Sequence, residues 1–254
     1  GLESIGMASD DLPGAQCCKP NLLGYGHGTS GIALALMELG DRTGERRFMQ
    51  CAEDAVAYET SWFDHDNDLW PALRHDAPET ATGATHVAWC HGAAGIGLAR
   101  SRMWDLTQQA RYRAEAQNAC AQTAAMITQQ LKGETNWSLC HGIFGNLDLL
   151  IHARSSLWWD EEGLIDRVFE YGHSQFVAKR RPWVYDQPTS EALPGLMLGT
   201  AGTGYAYLRC AAPDTVPSVL MIGPGQASRT TASGDIGHGR AQATARTSPL
   251  VLVS

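Results

Sequence analysis

The chain has 254 residues, of which 44% are hydrophobic and 18% charged, and its formal net charge is −8. This length allows one large domain or two small ones, and the acidic balance excludes a nucleic-acid binder that works through a basic surface. No apolar run approaches the roughly 20 residues of a membrane helix, and no signal peptide is recognisable. Seven cysteines without regular spacing indicate a reducing compartment, so we expect a cytoplasmic protein.

The strongest pattern along the chain is an internal repeat. Residues 1–21 carry no motif, and we interpret them as a lead-in that could be the remnant of a preceding repeat. A His-Gly-x-x-Gly motif then begins at His27 and is followed by an apolar, helix-like run. The same arrangement recurs at His91 and at His141, and a fourth copy keeps the glycines but has Leu198 in place of histidine. Repetition of this kind is typical of helical-repeat architectures.

Amphipathic segments separate these apolar runs, at residues 45–58, 111–131 and 161–177, and their apolar residues have helical spacing. In the first segment this spacing places Phe48, Cys51, Ala52, Ala55 and Val56 on one face. We predict an all-α fold in which the glycine-initiated helices form an inner layer and the amphipathic helices form an outer layer of helical-hairpin repeats. Residues 223–254 lack periodicity and are rich in small polar residues, so we predict a disordered tail there.

Two of the repeated loops also contain cysteine, as Trp89-Cys90-His91-Gly92 and Leu139-Cys140-His141-Gly142. If the repeats share one orientation, these loops lie at the same end of the inner layer and their side chains converge. Thiolate and imidazole are good zinc ligands, so Cys90 and Cys140 with one or both of His91 and His141 form a candidate site. Three protein ligands would leave a fourth position open. The alternative is that both cysteines are small buried apolar residues.

The four motifs together resemble those of the lanthionine synthetase C-like (LanC-like) cyclases. They are GYGHGTSGIALAL, AWCHGAAGIGLAR, SLCHGIFGNLDLL and LPGLMLGTAGTGYAYLRC, in that order. The resemblance covers residues 22–222 and is strongest to the C-terminal cyclase domain of class II (LanM-type) lanthipeptide synthetases. It implies a partial α,α-toroid of inner and outer helices. The motif series begins part-way through that of the family, so we expect a chain that is truncated at its N-terminus.

The resemblance also implies a site and a reaction. By motif, Cys90, Cys140 and His141 correspond to the zinc ligands of the family, and His27 corresponds to its acid/base candidate; His91 is not a family ligand. The implied activity is zinc-dependent addition of a precursor-peptide cysteine thiol to dehydroalanine or dehydrobutyrine, which forms a thioether ring. The implied partners are a dehydrated precursor peptide and, beyond this chain, the remaining part of the cyclase or a dehydratase domain. The family often has arginine four residues before Cys90, where this chain has His86.

Three alternatives to this interpretation remain open at the level of the sequence. A LanC-like protein that adds a small thiol such as glutathione to dehydrated residues would carry the same zinc ligands. A non-catalytic helical-repeat fragment would keep zinc for structure only. A zinc hydrolase would need a carboxylate base, but the candidates Asp148 and Glu134 do not occur in an H-E-x-x-H spacing, which disfavours it.

Overall fold

The computed structural model describes residues 20–71, 73, 87–133, 135–159, 161, 163–185, 193–221 and 223. Within these ranges the chain forms seven α-helices and no strand. The predicted lead-in before residue 20 and the predicted tail after residue 223 lie outside the described residues. The helices are α1 (Thr29–Thr43), α2 (Arg46–Ser61), α3 (Ala93–Thr107), α4 (Ala110–Gln130), α5 (Ile143–Ser156), α6 (Leu164–Gly172) and α7 (Thr200–Ala211).

Each glycine-initiated helix begins where the preceding loop folds back over its first turn. The first backbone N–H groups of a helix have no partner within the helix, and none of these helices has a side-chain cap. Backbone carbonyls seven residues upstream accept these hydrogen bonds instead. Examples are the N–H groups of Thr29, Ile143 and Thr200, at 3.0, 2.9 and 2.8 Å from the carbonyl oxygens of residues 22, 136 and 193.

The second glycine of each motif is required by this fold-back. At all four copies, a Cβ atom on that glycine would overlap the carbonyl oxygen of the residue six positions earlier, so only a residue without a side chain fits. The four pairs are Gly31 with Tyr25, Gly95 with Trp89, Gly145 with Leu139, and Gly202 with Leu196. The glycine spacing in the sequence therefore encodes one loop geometry that is used four times.

The glycine-initiated helices pack in succession, α1 on α3, α3 on α5 and α5 on α7. Helix α2 packs on α1, α4 on α3 and α5, and α6 on α5. Helices α3 and α5 are buried on nearly all sides, as predicted, because they have neighbours in both directions along the row. Helices α1 and α7 lie at the two ends of the described row, and they keep exposed apolar residues such as Ile32 and Leu208.

The amphipathic segments are helical as predicted, with two differences of detail. Ala52, Ala55 and Val56 of α2 are buried, but Cys51 is exposed, so its predicted place on the buried face was wrong. The segment 161–177 forms α6 only up to Gly172 and continues as a single π-helical turn, His173–Val177. No helix in the described ranges is long and apolar enough to cross a membrane.

Candidate metal centre

The loops before α1, α3, α5 and α7 contact one another in sequence order at one end of the helix row. A Cβ atom on Gly24 or Gly26 would lie 2.8–3.2 Å from backbone or Cβ atoms of residues 90–92, which shows how closely the first two loops approach. The N–H of Cys90 donates to the carbonyl of Cys140 at 3.3 Å, and the N–H of Cys140 donates to the carbonyl of Met197 at 3.0 Å. The repeat therefore brings residues 50 or more positions apart into one site.

The predicted zinc ligands meet at this site. One potential ligand atom from each of Cys90, Cys140 and His141 lies within 4.8 Å of the others. A second set within the same limit consists of His27, Cys90 and His91. The rings of His27 and His91 are stacked, with their centroids 4.7 Å apart. The structure therefore groups His27, Cys90, Cys140 and His141, together with His91. The cysteine and histidine pattern alone had left His91 open as a ligand, and the family motif did not select it.

The two cysteines have opposite electrostatic tendencies. A hydrogen bond from Cys90, followed by one from His141, lowers the pKa of the Cys140 thiol to about 5. The same sulfur–sulfur hydrogen bond, together with burial, raises the pKa of the Cys90 thiol. The pair therefore favours a thiolate on Cys140 beside a protonated Cys90. A thiolate next to a thiol and an imidazole is a donor set that suits zinc.

A buried ion pair, which sequence analysis missed, fixes the loop that carries His27. Glu59 of α2 and Arg100 of α3 are both fully buried, and their side chains are 2.9 Å apart. Glu59 also accepts hydrogen bonds from the Gly24 N–H at 2.9 Å and from the Thr29 hydroxyl at 3.0 Å. These bonds tie both ends of the loop to one carboxylate. No sequence signal identified this pairing, because the partners lie on different repeats.

A second buried network involves Asp148, a candidate base for a hydrolase. Its Oδ1 atom lies 3.2 Å from Nε of Arg209 and 3.3 Å from the hydroxyl of Tyr205, and the Ser218 hydroxyl donates to Oδ2. Asp148 is therefore part of a structural network and is not available as a general base. The other candidate, Glu134, lies outside the described residues.

The same network fixes the segment that follows α7. We call residues 213–221 the strap. Nη1 of Arg209 donates to the strap carbonyls of Pro213 and Val216, at 2.6 and 2.9 Å. At the far end of the strap, the carbonyl of Leu220 accepts a hydrogen bond of 2.7 Å from the Trp89 indole, next to Cys90. The strap thus connects α7 to the loop that carries the first cysteine.

A cavity of about 590 Å³ opens beside His27, between α1, Trp89 and the end of the strap. Its lining includes Gly26, His27 and Gly28 from the first motif loop. The His27 side chain therefore belongs both to the cavity wall and to the cluster of potential ligands. This position lets His27 contact a molecule in the cavity while it is next to the cysteines.

Comparison with known proteins identifies the family of the chain. Residues 7–221 match the family described as lanthionine synthetase C-like protein. The chain is also 23% identical over 211 residues to the lacticin 481/lactococcin biosynthesis protein LcnDR2 of Lactococcus lactis subsp. lactis. That alignment covers 80% of this chain and 22% of the relative, so the chain spans about a fifth of the length of the protein it matches.

Proposed function

Because the chain belongs to the lanthionine synthetase C-like family, we propose that it is a zinc-dependent lanthipeptide cyclase domain of the class II type. It would add a cysteine thiol of a dehydrated precursor peptide to dehydroalanine or dehydrobutyrine and so close a thioether ring. The observation that carries this proposal is the convergence of Cys90, Cys140 and His141, from two separate repeats, within 4.8 Å. The name of the LcnDR2 relative, which refers to lacticin biosynthesis, agrees with a peptide substrate.

The three residues fit a zinc ion. Ligand atoms that surround Zn²⁺ tetrahedrally at 2.0–2.3 Å lie about 3.3–3.8 Å from one another, and the observed limit of 4.8 Å requires only small side-chain movements. Cys140 already favours the thiolate form that a ligand needs. Three protein ligands leave one position for a substrate sulfur, and bound Zn²⁺ would supply a Lewis acid that lowers the pKa of the substrate thiol.

We assign the proton transfers of the addition to His27. When the sulfur attacks the β-carbon of the dehydrated residue, the α-carbon must gain a proton, and the S–H proton must leave the sulfur. Both transfers balance without any other reactant. An imidazole can accept and donate a proton near neutral pH. His27 lies within 4.8 Å of the Cys90 sulfur and borders the cavity, so it can reach an α-carbon beside the metal centre.

We extend the proposal to the architecture. The succession of α1, α3, α5 and α7, with α2, α4 and α6 packed against them, supports a section of an α,α-toroid. Residues 22–222 would form this cyclase section, between a lead-in of residues 1–21 and a tail of residues 223–254. A cytoplasmic location is consistent with the free thiols of all five described cysteines.

The test is a cyclisation assay with a synthetic peptide that carries one dehydrobutyrine and one cysteine. Ring closure leaves the intact mass unchanged but removes the free thiol, which alkylation followed by mass spectrometry measures. We expect the zinc-loaded chain to close the ring faster than a protein-free control. His27→Asn should lower the rate on the order of 10²- to 10⁴-fold without loss of zinc, the range typical of general acid–base catalysis.

The control is Cys51→Ser, which removes an exposed thiol outside the cluster and should leave the rate unchanged. A zinc-loaded wild-type chain that leaves the peptide thiol free at the protein-free rate would refute the proposed activity and favour a non-catalytic zinc module. Conversion of glutathione with the same peptide, in preference to ring closure, would favour the small-thiol alternative.

A further inference from the structure

The cavity beside His27 has an apolar character that the proposed chemistry does not itself require. Apart from the motif loop, its lining consists mainly of aliphatic and aromatic side chains. Two of these are large apolar residues left exposed on the surface, Ile32 at 51% and Val219 at 50%. The apolar lining residues include Tyr25, Ile32, Ala35, Trp89, Val219 and Met221.

One wall of the cavity is held in place before any ligand binds. The N–H of Val219 donates to the Tyr205 hydroxyl at 3.0 Å, and the N–H of Leu220 donates to the Ser218 hydroxyl at 3.1 Å. The indole N–H of Trp89 is already used by the Leu220 carbonyl, so the ring presents carbon to the cavity. A wall whose polar atoms are satisfied within the protein can contact an apolar ligand without a desolvation penalty of its own.

His27 connects the cavity with the metal centre, because it belongs to both. His27 lines the cavity, and its ring nitrogen lies within 4.8 Å of the Cys90 sulfur. Neighbouring Cα atoms of a peptide are 3.8 Å apart. A peptide with one residue at the metal centre therefore brings the side chain of a residue one or two positions away to the cavity mouth.

We propose that this cavity binds a leucine-like or aromatic side chain of the peptide substrate, at a position adjacent to the dehydrated residue that reacts. The cavity thus selects which dehydrated residues are presented to the metal centre. The inference deepens the proposed function and rests on it for the peptide nature of the ligand. A cavity of about 590 Å³ is large enough for such a side chain.

The test measures binding alone, separately from zinc and catalysis. The probes are fluorescein-labelled hexapeptides with one dehydrobutyrine and with serine in place of cysteine, and either leucine or serine occupies each position that flanks dehydrobutyrine. Fluorescence anisotropy gives their Kd values on the full chain. We expect leucine, at one flanking position or both, to strengthen binding about 10- to 100-fold, the range that corresponds to burial of its side chain.

Matched variants locate the effect. Ile32→Asp and Val219→Asp should reduce the leucine preference to within about twofold, because each places a charge in the cavity wall. The controls Leu208→Asp and Val177→Asp change residues of similar exposure, 62% and 47%, outside the cavity lining, and should keep the preference.

Three results would overturn the inference. The first is that the wild-type chain shows no leucine preference. The second is that the control variants lose the preference as much as the cavity variants do. The third is that the wild type sediments as a dimer and Ile32→Asp converts it to a monomer. The last result would make this face a contact between two copies of the chain. Ring closure without a leucine preference would refute only the cavity assignment, whereas a leucine preference without ring closure would refute only the proposed activity.

Discussion

Substitution of Glu59 by glutamine should separate the support of the first motif loop from the metal centre itself. The carboxylate accepts four hydrogen bonds, from the Gly24 N–H, the hydroxyls of Thr29 and Ser30, and the Arg100 guanidinium. Glutamine has the same shape, but it replaces one of the two acceptor oxygens by a donor NH₂ group. Two of the four donors would then face the new NH₂ group instead of an acceptor. Arg100 would also lose the negative charge of Glu59, its buried partner.

The structure sets the size of the effect. Burial alone would lower the pKa of the Arg100 guanidinium, and the carboxylates of Glu59 and Glu115 outweigh burial and raise it. Removal of one partner from a buried ion pair typically costs about 3–5 kcal/mol. For a chain of this size, that cost corresponds to a fall in Tm of about 6–20 °C. Zinc content should be retained, because the ligands lie on other loops.

The matched control is Glu53→Gln on the same helix. Glu53 also pairs with an arginine, Arg111, but both side chains are partly exposed. A surface pair contributes at most about 1 kcal/mol, so the control should lower Tm by no more than about 4 °C. Thermal unfolding of both variants, followed by circular dichroism, measures the difference. Equal Tm values for the two variants would refute the argument that the Glu59 network supports the loop.

Three further predictions concern single residues. Burial and two nearby arginines lower the pKa of His152 to about 4. The unfolded chain therefore binds more protons than the folded chain between about pH 4 and 6.5, and the free energy of unfolding falls as the pH drops through this window, by up to about 1.4 kcal/mol per pH unit. Urea unfolding at pH 4.5 and 6.5 should show a smaller change in stability for His152→Gln than for the wild type, and an equal change would contradict this. Gly145→Ala should destabilise the chain by about 1–3 kcal/mol, because the added Cβ overlaps a backbone carbonyl. The control Gly204→Ala has open space around the new Cβ and should be neutral or stabilising. Urea unfolding measures both variants, and equal midpoints would contradict the overlap. The lowered pKa of about 5 for Cys140 and the raised pKa of Cys90 predict that iodoacetamide modifies Cys140 before Cys90 at pH 6. Peptide mass spectrometry of both sites measures the order, and modification of Cys90 first would contradict the prediction.

Much of the fold could be predicted because one local rule is repeated. The glycine at the fifth position of each motif must accept a close backbone contact, and the apolar run that follows can only be buried between neighbouring helices. These constraints act over a few residues, so they are visible in the sequence. The convergence of Cys90 with Cys140 was also predictable, since equivalent positions in successive repeats lie side by side.

The parts that could not be predicted depend on pairs from different repeats. Glu59 and Arg100 are 41 positions apart. Glu59 belongs to no motif, and nothing in the motif that ends at Arg100 indicates a partner on α2. Asp148 was named only as a candidate hydrolase base, and its ion pair with Arg209 of another helix was not predicted. His91 was not selected from the family motif as a ligand, and only the three-dimensional arrangement shows its stacking on His27. Such long-range pairings leave no periodic signal in one sequence.

The metal content of the purified chain tests the central claim most directly. Elemental mass spectrometry should find about one zinc per chain in the wild type and in Cys51→Ser, and much less in Cys140→Ala and His141→Asn. His91→Asn separates the two candidate clusters and should keep its zinc. A folded wild-type chain without zinc, or a Cys140→Ala variant with undiminished zinc, would contradict the assignment of Cys90, Cys140 and His141 as the metal site.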